Sequence, residues 1–227
     1  GQKTERPFEV VVVDDGSKID LNPVRERFSS RLSLQWHRLP LNRGPATARN
    51  VGIKAATADI VLFTDADCQP DEGWIEALAA PFFDPKITGA KGVYKTDQTD
   101  LWARLAQLEF EERYECLAAS HDIDFIDTYC GAFRRQDLLA VGGFDENFPK
   151  ADNEDVDLSF RVKDRGGKFV FVPNAIVRHN HREGCRNYYR LKVGRGFWRM
   201  RVYRKHPSKA GRDSYTPWTM KSQMLLF

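Results

Sequence analysis

Phe8-Glu9-Val10-Val11-Val12-Val13-Asp14-Asp15-Gly16-Ser17 is a near-continuous β-branched run that stops on two acids, a glycine and a serine. It reads as an interior strand giving way to a turn, because a strand covered on both faces loses its apolar/polar alternation. The pattern returns further on, where Ile60-Val61-Leu62-Phe63-Thr64 runs into Asp65-Ala66-Asp67. Between the two lie a short helix over residues 21–29, a second strand within residues 32–39, and the turn Asn42-Arg43-Gly44-Pro45. That turn starts a small-residue helix ending near Ala56. Strands alternating with helical stretches predict an α/β domain with a largely parallel sheet. In such sheets ligands sit beyond the carboxyl ends of strands, which is where both acidic clusters fall.

The rest of the chain continues the alternation. Residues 87–94 read as a strand, and Leu101, Leu105, Leu108 and Glu112 mark successive turns of a helix over residues 100–119. Residues 123–132 read as extended. Asn153 is placed to cap a helix over residues 154–164 that Gly166-Gly167 would stop. Two short strands, residues 169–172 and 175–179, complete the pattern. With 227 residues, 41% of them hydrophobic, the chain can bury a core without disulfides or metal staples, which excludes disorder and mini-protein classes.

The net charge of +3 conceals a division. Residues 178–227 hold 13 Lys+Arg and 2 Asp+Glu, whereas residues 1–177 hold 22 and 30. An acidic body over residues 1–180 is therefore followed by a basic, aromatic tail over residues 181–227. Cys68, Cys116, Cys130 and Cys185 are far apart and form no C-x-x-C pair, so spacing suggests neither a zinc site nor a redox motif. Reduced thiols suit a cytosol-facing domain.

Three acidic clusters need a common explanation: Asp14/Asp15, Asp65/Asp67 and Glu154/Asp155. Two carboxylates one residue apart on a turn can aim oxygens at a hard divalent cation bound through diphosphate oxygens. That cation would offset the charge of a departing nucleotide diphosphate. Acids also decorate turns without binding anything, but two strand-end clusters in one chain argue for a site. At a helix start, Asp155 is kept ionised by the helix dipole and made less basic by it. Neighbouring Glu154 and Asp157 would have to push its pKa back up for it to serve as a base.

Val-Val-Asp14-Asp15-Gly16-Ser17, then Asn42-Arg43-Gly44-Pro45-Ala46-Thr47-Ala48-Arg49-Asn50-Val51-Gly52, then Asp65-Ala66-Asp67, then Gly142-Gly143-Phe144-Asp145-Glu146, then Glu154-Asp155 occur in this order. The series resembles family 2 glycosyltransferases of GT-A fold. The resemblance implies a Rossmann-like nucleotide-diphospho-sugar transferase fold with a mainly parallel central sheet. It also implies Mg2+- or Mn2+-dependent transfer of a sugar from a nucleotide-sugar donor to an acceptor hydroxyl, with inversion. On this resemblance Asp14 or Asp15 would hold the base and ribose, Arg49 would reach the nucleotide, and Asp67 would bind metal with Asp65 assisting at the ribose or the metal. Asp155 would deprotonate the acceptor, Glu154 would orient donor or acceptor hydroxyls, and the loop containing Gly131 would line the sugar side. His179 is the expected third metal ligand, with His181 in reserve. Cys130 reads as packing, and His37, His121 and His206 carry no signal.

From Arg186 to Lys205 basic residues interleave with Tyr188, Tyr189, Val193, Phe197, Trp198 and Met200. Such a segment can lie in a bilayer interface against anionic headgroups, clamp a diphosphate, or form a solvated helix with a core face. The resemblance adds an expectation of interfacial helices, with Thr216-Pro217-Trp218 and the residues to Phe227 approaching a membrane segment. It also implies an upstream βα unit and an excerpt of a membrane-anchored protein acting at the cytoplasmic face, on a glycan or lipid-linked acceptor. No nucleic-acid motif accompanies the charge. Two other readings remain: a haloacid-dehalogenase-type phosphatase, which also places Asp-x-Asp after a strand, and a non-catalytic membrane- or nucleic-acid-binding module. A Rossmann dehydrogenase is disfavoured because no G-x-G-x-x-G follows a strand.

Overall fold

The computed structural model describes residues 1–148 and 152–210. Its strands are β1 (Val10–Asp14), β2 (Leu34–Arg38), β3 (Ile60–Phe63), β4 (Cys68–Pro70), β5 (Ile87–Lys95), β6 (Gly131–Arg134) and β7 (Lys168–His179). Its helices are α1 (Asn22–Ser29), α2 (Pro45–Ala55), α3 (Trp74–Ala79), α4 (Leu101–Ala118), α5 (Arg135–Ala140), α6 (Glu154–Asp164) and α7 (Cys185–Lys205). The α/β class expected from the alternation is the class observed.

Pairing within it is mixed, which corrects the expectation of a mainly parallel sheet. β1 and β2 form a parallel two-stranded sheet, and the other five strands form a second sheet in the order β3-β6-β5-β7-β4. There only β5 and β7 run parallel, while β6 lies antiparallel to both β3 and β5, and β4 antiparallel to β7. Parallel neighbours need a crossover, and α4 together with α6 supplies the connection from β5 to β7; β6 enters between them in the opposite sense. Val10, Val11, Val12 and Val13 are half-buried rather than interior, because β1 has a backbone ladder on one edge only among the described residues. Two further expectations change. Residues 123–130 form a buried loop leading into β6, and the two short strands proposed at 169–172 and 175–179 are one strand.

The core lies between the five-stranded sheet and its helices, with Leu78, Phe133, Leu138, Leu158, Phe169 and Val177 essentially inaccessible. A smaller cluster of Phe125, Phe148, Val156, Phe160 and Val202, with Trp198 against it, joins α7 to α6. Thus the C-terminal part of α7 is packed into the body and is not a detached tail. His206, without signal in the sequence, is buried within hydrogen-bond distance of Asp157 (3.0 Å), and Lys205 reaches Asp145 and Asp157 at 2.8 and 2.7 Å. No described helix is long and apolar enough to cross a membrane. The residues expected to approach one, Thr216 to Phe227, lie outside the described residues.

Candidate active site

The loops at the carboxyl ends of β1 and β3 meet the N-termini of α2 and α6. β1 ends on Asp14, whose side chain is buried; its Oδ1 accepts from the Ser17 N–H at 2.8 Å and its Oδ2 lies 3.5 Å from the Arg38 Nε. Asp15 turns the other way and accepts from the backbone N–H groups of Arg43 and Gly44, each at 2.8 Å. Both its oxygens are therefore occupied at the start of α2, where a carboxylate also complements the helix dipole. Of the two acids expected to hold base and ribose, Asp15 is engaged in ordering this loop, and Asp14 keeps one oxygen without a hydrogen bond.

Arg49, one turn into α2, bridges two of the acidic clusters. Its guanidinium lies 2.5 Å from Glu154 Oε1 and 3.0 Å from Asp65 Oδ1. Burial works against the Arg49 charge, but the neighbouring Glu154 and Asp65 carboxylates outweigh it and raise its pKa. Its position depends on the motif Gly142-Gly143-Phe144-Asp145-Glu146, which clamps α2. The Asn50 amide accepts from the Phe144 N–H (2.7 Å) and donates to Glu146 (3.0 Å), Thr47 donates to Glu146 (3.0 Å), and the Phe144 ring backs the Arg49 guanidinium at 5.7 Å. Gly143, at φ 75°, is needed there because a Cβ would meet Asn50 Oδ1 at 2.3 Å.

α6 starts with Glu154 and Asp155. Asn153 precedes it in the left-handed region at φ 66° without a side-chain cap, contrary to the expected capping role; its amide instead donates to Asp152 Oδ1 and the Arg195 carbonyl. Glu154 is buried, and its second oxygen accepts from the Asp152 N–H at 2.6 Å. Asp155 retains some solvent contact. Burial pushes its carboxyl up to about 8, and the charges of Glu154 and Asp127 add to the shift. Asp157 does not take the part expected of it. Hydrogen bonds from His206, Lys205 and Arg161 overcome its burial and hold it well below the usual carboxylate range. Asp127, which sequence reasoning missed, is buried against Lys91 of β5, itself fully buried beneath the Phe125 ring.

The second half of the site lies where β4 pairs with β7. Asp67 is mostly exposed, and its Oδ1 stands 3.8 Å from His179 Nδ1. That nitrogen is buried and makes no hydrogen bond. The His179 ring stacks on Tyr94 (4.9 Å, 17°), and Tyr94 stacks on Tyr129. His181, the reserve choice, is taken up elsewhere: its Nε2 lies 2.9 Å from Gln107 Oε1 and its N–H donates to Gln98. Burial, with His179 and Arg195 nearby, lowers its pKa to about 4. Cys68 joins Asp67 and His179, their donor atoms all within 4.8 Å of one another. Only the register of β4 on β7 reveals this, since no spacing in the sequence links residues 68 and 179. Asp65, in contrast, is committed to Arg49 and stands outside this group. Gly131 opens β6, where a Cβ would meet Ile126 Cγ2 at 2.5 Å and Asp127 O at 2.7 Å; it permits the loop to close over the strand.

The description Glycosyl transferase family 2 matches residues 1–142. The pre-mycofactocin glycosyltransferase of Mycobacterium tuberculosis (strain H37Rv) is 30% identical over 210 residues, covering 90% of this chain and 44% of that protein. The chain therefore spans less than half of that relative's length. Among solved structures, the mannosyltransferase PcManGT from Pyrobaculum calidifontis in complex with GDP-Man and Mn2+ aligns with a TM-score of 0.66. Its identity is 22%, over 96% of this chain and 59% of that one. GalNAc-T7 with UDP, GalNAc and Mn2+ aligns with a TM-score of 0.60 and 16% identity, over 94% of this chain and 47% of that one.

Proposed function

The chain belongs to glycosyl transferase family 2 and has the GT-A fold, and on that premise we propose that it moves a sugar from a nucleotide-diphosphate donor to an acceptor hydroxyl with inversion. The observation that carries this reading is the convergence at one edge of the Arg49-linked acids, the Asp67/His179 pair and a carboxyl poised near neutrality, Asp155. A general base is most effective when its pKa lies near the working pH. In the displacement the acceptor oxygen bonds to the anomeric carbon as the bond to the diphosphate oxygen breaks. Asp155 takes the hydroxyl proton and the electron pair leaves with the diphosphate. No enzyme nucleophile is required.

Arg49 fixes Glu154 and Asp65 before substrate arrives, so orientation is set in the folded state. In this reading Glu154, engaged by Arg49 and the Asp152 N–H, orders the sugar and acceptor side through that pair, and Asp14, buried beside Arg38, shapes the turn on the nucleoside side, where Asp65 is partly exposed. Asp67 and His179 would hold Mg2+ or Mn2+, which when bound offsets charge on the departing diphosphate. Two GT-A neighbours carry Mn2+ in their structures, which supports that choice.

The same reading places the reaction at the cytosolic face of a membrane, with a glycan or lipid-linked acceptor. Its support is an exposed apolar face. Leu101, Leu105 and Leu108 of α4 and Tyr189, Val193, Phe197 and Met200 of α7 are all exposed, and the two helices touch through Trp102 and Tyr189. Exposed Arg186, Arg190, Arg201 and Arg204, with half-buried Arg104, flank this face, the arrangement that suits anionic headgroups. A donor panel with Mn2+ or Mg2+, read as nucleotide diphosphate release, tests the activity. Release that needs no metal, or that persists in Asp155→Asn, removes the mechanism.

A further inference from the structure

We propose that Cys68 is a third donor to the Asp67/His179 cation site and that the site therefore takes thiophilic divalent ions, Zn2+ and Cd2+, more tightly than Mg2+. The inference rests on the cation site of the preceding reading and adds a ligand to it. In the antiparallel pairing of β4 with β7, Cys68 stands directly opposite His179. Directly opposed residues project to the same face of a sheet, so thiol and imidazole share a side by construction. Asp67 is the residue immediately before, on the turn entering β4.

The thiol has no strong partner of its own. Its Sγ lies 3.9 Å from Asp67 Oδ1 and 3.7 Å from the Tyr94 hydroxyl, while His179 Nδ1 has none. A tetrahedral ion with ordinary Zn–S, Zn–N and Zn–O lengths needs donors roughly 3.3–3.6 Å apart. The three atoms, all within 4.8 Å of one another, meet that requirement after closing by about 1.5 Å at most. Asp67 Oδ1 already lies 3.9 Å from Cys68 Sγ and 3.8 Å from His179 Nδ1, so any larger gap is between sulfur and imidazole; His179 is held by its stack on Tyr94, and rotation about the Cα–Cβ bond of Cys68 is the movement that closes it. Three protein donors leave the fourth position open, as in reactive zinc sites.

The donor set decides the preference. Mg2+ asks for oxygen ligands in a near-ideal octahedron, whereas sulfur with imidazole favours softer ions. On binding, a sulfur–metal bond forms, and the thiol proton passes to solvent.

The test uses the full chain with the exposed Cys116 and Cys185 replaced by Ser. Cd2+ is titrated into metal-free protein and the ultraviolet sulfur-to-cadmium charge-transfer band is followed. The expected result is a band that saturates at one equivalent, vanishes in Cys68→Ser and Cys68→Ala, and accompanies a loss of Cd2+ affinity of about tenfold or more. Far-ultraviolet circular dichroism establishes that each variant is folded. A band that survives both Cys68 substitutions, or is missing before them, overturns the proposal. The two readings fail separately. Mn2+-dependent diphosphate release without a cadmium band refutes the thiolate ligand and leaves the transferase reading standing, while a Cys68-dependent band without release on any donor does the reverse.

Discussion

Replacing Asp155 by Asn is expected to stabilise the protein while abolishing transfer, and the gain is expected to depend on pH. The Asp155 carboxyl rises from its ordinary 3.8 to about 8 in the folded chain, so between those values the folded state holds a proton that the unfolded state has released. With fewer protons bound on unfolding, stability falls as pH rises through this window. Below about pH 4 the group contributes nothing, and above about pH 8 the loss is complete. At pH 7 linkage gives an upper bound of about 4 kcal/mol. Because Asp155 retains solvent contact, the observable gain in Asp155→Asn is about 2–4 kcal/mol, after screening. Asn preserves the side-chain oxygen that accepts from the Val156 N–H at 2.9 Å, so the substitution isolates the charge. Urea unfolding of both proteins at several pH values between 5 and 8.5 reads the difference directly. The gap should widen steadily across that range. A gap that is constant with pH, or a variant less stable than the parent at pH 8, refutes the placement of a neutral carboxyl here. The same titration predicts that kcat/KM of the parent rises roughly tenfold between pH 7 and pH 9 as the base ionises.

Gly143→Ala should lower stability by about 2–4 kcal/mol, because the residue sits at φ 75° and its Cβ would strike Asn50. Gly142→Ala, at φ 79° but facing open space, should cost only about 1 kcal/mol; equal shifts in Tm would refute the clamp on α2. Val193→Glu together with Phe197→Glu should reduce co-sedimentation with phosphatidylserine-containing vesicles, and added salt should weaken the parent's binding. Unchanged co-sedimentation would remove the membrane face from the functional reading.

The elements that carry the site were legible because their physics is local. β-branched runs ending in acids declared β1 and β3, and the Leu101/Leu105/Leu108 period declared α4. What depended on pairing was not legible. β6 enters against its neighbours, and nothing in Gly131-Ala132-Phe133-Arg134 distinguishes an antiparallel strand from a parallel one. Cys68 could not be joined to His179 without the register of two strands distant in sequence. The basic tail was read by composition, which registers charge but not the burial of Arg199, Val202 and His206 on α6.

Asp155 shows why charge counted along the chain misleads. Sequence proximity named Glu154 and Asp157 as the acids that would raise its pKa. Only Glu154 does so, because Asp157 is ion-paired with Arg161 within α6 and with Lys205 at the end of α7, and lies within hydrogen-bond distance of His206. The second contributor is Asp127, in the loop before β6, whose own charge is held in the interior by Lys91. A buried acid that has lost its counterion is destabilising by several kcal/mol, and Lys91, whose Nζ meets the Asp127 carboxyl in the interior, is the partner placed to offset it, although burial pulls its own pKa down. The basicity of the proposed catalytic carboxyl is thus a property of β5, the 123–130 loop and α7 together. The acidic motif at the start of α6 supplies the carboxyl, but residues far from it in sequence decide whether it can act as a base.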